Sequence, residues 1–195
     1  MKDFFLKYFE NSIKVKNDII NDKSLILKIS QISDKIYNVI VSKKKILTCG
    51  NGGSFSDASH FTTELMVRYS KEFERKPISC LNLSNDGSLI TAHSNDFNFD
   101  TLFSRSVEGL GSKGDCLIVF STSGNSKNIV NALTKAREIG ITTIGILGNV
   151  GGQAKELCDF NLIVNSTKTS HIQECHIVFI HAIVESLENK LKSTK

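Results

Sequence analysis

Apolar residues fall at helical intervals along the first forty positions. Phe5, Phe9, Ile13 and Val15 recur within 3–21, and Leu25, Ile29, Ile32, Ile36 and Ile40 within 24–42, which predicts two amphipathic helices. From residue 45 the pattern changes. Short runs that are apolar nearly throughout, KILTC (45–49), ISCLNL (78–83), CLIVF (116–120), TTIGIL (142–147) and FNLIV (160–164), alternate with longer mixed stretches. A strand apolar on both sides of its pleat suits a parallel sheet covered on both faces. The mixed stretches, 54–69, 87–110 in two pieces, 126–139, 152–158 and 171–192, are the predicted helices. This alternation predicts an α/β fold, a doubly wound five-stranded parallel sheet with helices on both faces and an N-terminal helical pair. Ligands of such sheets bind beyond the carboxyl ends of the strands.

Composition narrows this picture only a little. The 195 residues suit one domain over 1–195, with 1–44 as the helical pair used in assembly and 45–192 as the ligand-binding core. The net charge of +4 is spread among acids, without a basic block interleaved with aromatics, so no nucleic-acid partner is expected. Cys49, Cys80 and Cys116 lie in or beside the apolar runs, and the total of five is odd, so buried thiols are expected rather than bridges. The opening MKDFFLKYFENS is charged throughout and lacks the apolar core of a signal peptide, and no run approaches the ~20 residues of a membrane span. The expected compartment is the cytoplasm, with no membrane partner.

Two strand ends carry distinctive loops. The first, Gly50-Asn51-Gly52-Gly53-Ser54, leads into a helix; its glycines permit close backbone approach to a ligand, and Ser54 is placed to cap. The second, Ser121-Thr122-Ser123-Gly124-Asn125-Ser126, follows CLIVF and gathers four hydroxyls at a helix N-terminus. Backbone N–H groups and the helix dipole there favour a phosphate. No lysine stands in a Walker-type position, so this is not a nucleotide loop. The plainer alternative is a pair of turns whose serines only cap helices.

The two loops in this order resemble the SIS (sugar isomerase) family, whose members bind phosphosugars. With the histidines and carboxylates below, the chain resembles the phosphoheptose isomerase branch from about Gly50 to Glu185. His60 and Glu64 stand four apart on the helix opened by the first loop, so one face carries both. Imidazole with carboxylate suits Zn²⁺ among divalent metals. A surface His–Glu contact is the commoner cause of such spacing, and the phosphosugar loop beside it favours the metal. The resemblance adds Gln173 and His181 from the last helix, giving a metal set of His60, Glu64, Gln173 and His181 and one Zn²⁺ per subunit. It also places His176 behind that set. His93 has no assignment and is expected in a loop.

Gln173 and His181 are eight residues apart, roughly 12 Å along one helix and about 80° around it. Either the helix begins after Gln173, or neighbouring subunits share a site. The second is preferred, so active sites shared between subunits are expected and the oligomer is required for activity; the resemblance implies a homotetramer.

The resemblance implies ketose–aldose isomerisation through an enediol(ate), with Glu64 as base and His181 as general acid. The substrate would be sedoheptulose 7-phosphate and the product D-glycero-D-manno-heptose 7-phosphate, for lipopolysaccharide core, capsule or another bacterial glycan. Asn51, Gly52, Gly53 and Ser54 would hold sugar hydroxyls or phosphate. Ser121, Ser123 and Ser126 would bind phosphate, with Thr122 lining the pocket. Asn95, Asp96, Glu64 and Gln173 would also touch substrate. His171 stands where the branch usually has arginine, Val150 where it has aspartate, and Phe55 where it has a small residue. The rival reading is a non-catalytic SIS protein that binds the replication initiator; such relatives lack the carboxylate and second histidine that Glu64 and His181 supply.

Overall fold

The computed structural model of the chain describes residues 2–193, so the ends of the 1–195 span, residues 1, 194 and 195, lie outside the described residues. Helices α1 (Lys2–Asn21) and α2 (Lys23–Val41) come first. Then β1 (Ile46–Gly50), α3 (Gly53–Met66), β2 (Cys80–Asn82), α4 (Gly87–Asp96) and α5 (Leu102–Leu110) follow, with a 3-10 turn Phe99–Thr101 between the last two. The chain continues through β3 (Cys116–Ser121), α6 (Lys127–Ile139), β4 (Thr142–Gly148), α7 (Ala154–Leu157), β5 (Phe160–Val164) and α8 (Thr169–Ser193). The sheet is all parallel in the order β2-β1-β3-β4-β5. Its winding reverses between β1 and β3, and the two loops singled out in the sequence lie at the carboxyl ends of those neighbours.

Alternation along the strands splits the core into two layers. Ile46, Ile118, Phe120, Ile144, Ile146, Leu162 and Val164 face α2, α3 and α8. Leu47, Cys49, Leu117, Val119 and Leu147 face α5, α6 and α7. Five predicted strands and the helices between them are thus found, with shifted ends. The run 78–83 shrinks to three residues because β2 is an edge strand, with Leu81 exposed. The helix predicted to reach 69 stops at Met66, where the Arg75 side chain takes over the carbonyls of Glu64 and Leu65.

The N-terminal pair divides differently from the expected boundary at 44. Leu25, Ile32, Ile36 and Val39 of α2 are buried in the sheet's own core. On α1, by contrast, Phe5, Phe9 and Ile13 are exposed, and Val15 alone of the four predicted positions packs against the core. A polar cluster holds this helix: Glu174 of α8 accepts from Tyr8 Oη at 2.9 Å, from Lys16 Nζ at 3.0 Å and from Ser12 Oγ. His171, 3% exposed, lies under it with its ring 4.8 Å from that of Tyr8 and Nδ1 3.5 Å from Glu174. No helix among the described residues is long and apolar enough to cross a membrane. All five cysteines are free, and burial pushes the Cys80 thiol up to about 12.

Candidate active site

The turn after β1 is closed by Gly52 at φ +57°, a conformation that glycine adopts without strain, and α3 starts at Gly53. Ser54 therefore falls inside the first turn and makes no capping bond, contrary to its expected role. It is buried, and with Asn51, Phe120, Ser121, Thr122, Ser123 and Ser126 it lines a cavity of about 120 Å³. Ser126 is the residue before α6, yet its hydroxyl does not cap that helix either. Neither Ser54 nor Ser126 thus caps a helix, as the plainer alternative would have them do. Serine hydroxyls and the amino ends of α3 and α6 surround a hollow sized for the phosphate end of a ligand.

The loop is braced from two directions. Ser121 Oγ accepts from Gly124 N at 3.0 Å, and Ser123 Oγ from Asn125 N at 3.2 Å. From the turn after β4, Ala154 N donates to Gly124 O at 2.9 Å and Gln153 N to Asn125 Oδ1 at 3.0 Å. Gly124 sits at φ +65°, and a Cβ there would lie 1.9 Å from Gly151 O, so glycine is required. The unusual Val150 projects from this turn at 75% exposure, which explains why it is tolerated. Across the reversal of the sheet, Asn51 and buried Asn128 exchange two amide hydrogen bonds, 2.9 and 3.0 Å long. Sequence reasoning missed Asn128, whose partner lies 77 residues away, with no local signal to mark it.

Further along α3, the side chains of His60 and Glu64 meet His181 of α8. His60 Nε2 is 3.2 Å from Glu64 Oε1 and 3.1 Å from His181 Nε2. Donor atoms of the three all lie within 4.8 Å of one another. All three residues are half-buried, open enough for a ligand to reach. Two ligand nitrogens each ~2 Å from a tetrahedral ion stand roughly 3.3 Å apart, so the imidazole spacing and the donor types fit a divalent metal. The Tyr69 ring flanks His181 at 5.9 Å. Burial and the charges of Glu185, Glu64 and Glu188 raise its phenol above the ordinary value. Neither Tyr69 nor those contacts were anticipated.

The remaining predicted residues lie elsewhere. Gln173 packs on the start of α3: a Cβ on Gly53 would come 2.3 Å from Gln173 Nε2. That is beside the glycine loop after β1, about two helical turns from the trio, so within one chain Gln173 is placed with the loop rather than with His60, Glu64 and His181. Nor does α8 begin after Gln173, since it is continuous from Thr169. The argument for subunit sharing therefore does not extend to Glu64 and His181, which the side-by-side helices α3 and α8 bring together in one chain. Asn95 and Asp96 end α4 on the exposed surface, bonded to each other at 2.8 Å. His176 faces inward instead of toward the trio, with Nδ1 3.5 Å from buried Asp57 and Nε2 3.3 Å from Leu147 O. His93 is no loop residue; it is buried in α4, stacked on Phe97, with Nε2 3.0 Å from Thr101 Oγ1.

Comparison with known proteins agrees with this fold. The pattern described as "SIS domain" matches residues 7–148. A phosphoheptose isomerase of Clostridium acetobutylicum is 40% identical over 195 residues, covering all of this chain and 98% of the relative. That of Aliarcobacter butzleri is 52% identical over 147 residues, 75% of this chain and 77% of the relative. The structure of a phosphoheptose isomerase from Francisella tularensis superimposes with a TM-score of 0.91 at 32% identity, over 96% of this chain and 97% of that one. The chain belongs to the SIS-domain family, in the branch of the phosphoheptose isomerases.

Proposed function

We propose that the protein is a metal-dependent isomerase that converts sedoheptulose 7-phosphate to D-glycero-D-manno-heptose 7-phosphate, supplying heptose for a bacterial surface glycan. One observation carries the reading: a single helix, α3, carries Ser54 of the anion cradle together with His60 and Glu64 of the trio. Ser54 and His60 are six residues apart, about 9 Å of helical rise. A phosphosugar anchored at Ser54, Ser121, Thr122, Ser123 and Ser126 can therefore extend along α3, with its far carbons beside Glu64 and His181.

Isomerisation needs a base at carbon and an acid at oxygen. Glu64 takes the C1 proton of the ketose while His181 donates to the carbonyl oxygen at C2. Glu64 then returns its proton to C2 as the C1 hydroxyl gives its proton back to His181. His60, Glu64 and His181 would hold one Zn²⁺ per subunit, which would supply Lewis-acid polarisation of the sugar oxygens, and His181 would donate a proton from Nε2 only with that nitrogen free of the ion. Gln173 and Asn51 are placed to orient hydroxyls near the loop. The juxtaposition of Glu64 and His181 favours catalysis over binding of the replication initiator, which would not use them. The exposed apolar residues of α1 (Phe4, Phe5, Leu6, Phe9 and Ile13) support self-association, because a second copy would cover them, and the assembly proposed is a cytoplasmic homotetramer.

The test is turnover of sedoheptulose 7-phosphate by Zn²⁺-loaded, chelated and reloaded protein. Chelation is expected to abolish activity and Zn²⁺ to restore it. Full activity in protein shown by elemental analysis to be metal-free would remove the metal, and no turnover by the loaded protein would remove the isomerase.

A further inference from the structure

Glu64 is the third residue from the end of α3, in a turn that ordinarily frays. Here the turn is fixed by groups distant in sequence. Arg75, in the irregular segment before β2, donates from one terminal nitrogen to the Glu64 carbonyl at 2.6 Å and from the other to the Leu65 carbonyl at 2.7 Å. Its Nε reaches Glu188 Oε1 of α8 at 3.0 Å. Glu188 in turn accepts from the backbone N–H groups of Tyr69 and Ser70, both at 3.1 Å. The side chains of Arg75 and Glu188 are only 4% and 2% exposed.

We propose that Arg75 and Glu188 are positioning residues, which lock the last turn of α3 to α8 and so fix Glu64 against His181. The inference rests on the reading of the trio given above. The geometry is specific to that task. Arg75 holds the backbone of Glu64 itself, while Glu188 lies two turns beyond His181 on the same helix and holds the segment carrying Tyr69, whose ring flanks His181. A cation also suits the partial negative charge at the end of α3. Stability alone does not call for a buried ion pair, since apolar residues of similar volume often serve as well. Lysine could not replace the arginine, because a single ammonium lacks the planar fork that spans two carbonyls and a carboxylate.

Arg75→Lys and Glu188→Gln test this, with Leu133→Ala in the opposite core layer as a control for general loss of stability. Zn²⁺ affinity is read by competition with a chromogenic chelator, alongside kcat, KM and the thermal midpoint. The two clamp variants are expected to bind Zn²⁺ at least ~10-fold more weakly, in line with groups that support ligands from behind. Their kcat should fall by a similar factor while KM changes little, because the phosphate loop is remote. Leu133→Ala should lower the midpoint without either effect. Zn²⁺ affinity within twofold of wild type in both clamp variants, or an equal loss in Leu133→Ala, would overturn the proposal. If Arg75→Lys does not fold, Glu188→Gln decides alone. A wild-type protein that neither binds Zn²⁺ nor isomerises would overturn the reading of the trio, and the clamp with it.

Discussion

Glu64 has two tasks in the proposed chemistry, to hold a cation and to carry a proton, and a near-isosteric change separates them from its role in the fold. Its carboxylate is half-buried and meets His60 Nε2 at 3.2 Å, while its backbone carbonyl is held by Arg75. Glu64→Gln leaves that backbone contact in place, so thermal stability should stay near wild type. Losing the base should lower kcat by at least ~10²-fold; near-normal turnover with metal still bound would take the role away from Glu64. At this scale the sequence declared residues whose chemistry is unusual for their position. His60 and Glu64 share a helical face, and the serines crowd a strand end. Arg75, Tyr69 and Asn128 were silent for a physical reason. Arg75 acts on main-chain carbonyls 10 and 11 residues away, and Asn128 on a partner 77 residues away, so nothing local marks either.

Among the elements, the sheet was the most legible, because short runs apolar on both sides of the pleat admit few other readings. The docking of α1 was not, since its apolar row is exposed and a carboxylate from the far end of the chain holds it. Partial burial alone would push the Glu174 carboxyl up, but hydrogen bonds from Ser12, Lys16 and Tyr8 and the charge of Lys16 hold it down at about 2 instead of the ordinary 4.5. A depressed carboxyl stabilises the folded form above its unfolded value and loses that contribution as pH falls through the folded one. The docking of α1 should therefore be intact above about 4.5 and fade toward about 2. Thermal midpoints of wild type and Glu174→Gln, compared across that range, should differ most at neutral pH and converge in acid. A gap independent of pH would mean that charge on Glu174 does not hold the helix. His171 belongs to the same cluster, so the departure from arginine falls where α1 meets α8 and leaves the residues of the trio unchanged.

For the whole molecule, the question is whether one chain contains a complete reacting centre. Eight residues of one helix are too long a span for Gln173 and His181 to share an ion, which on sequence grounds argued for contributions from two chains. The fold resolves part of that problem by another route. Because α3 and α8 run side by side, the pair His60 and Glu64 reaches His181 without help, while Gln173 lies against Gly53 at the start of α3, two turns away. Subunits can still meet through the apolar row of α1, but that contact would not supply the base or the acid. Mixing the inactive variants Glu64→Gln and His181→Ala, with subunit exchange demonstrated, tests this directly. Every site in the mixture carries one of the two defects if both groups come from one chain, so activity should not rise above the parents. A rise would mean that the working assembly takes Glu64 and His181 from different chains, through a rearrangement of α3 against α8. Sedimentation of the same mixture gives the assembly state, so a lack of recovery is informative only if subunits are seen to associate and exchange.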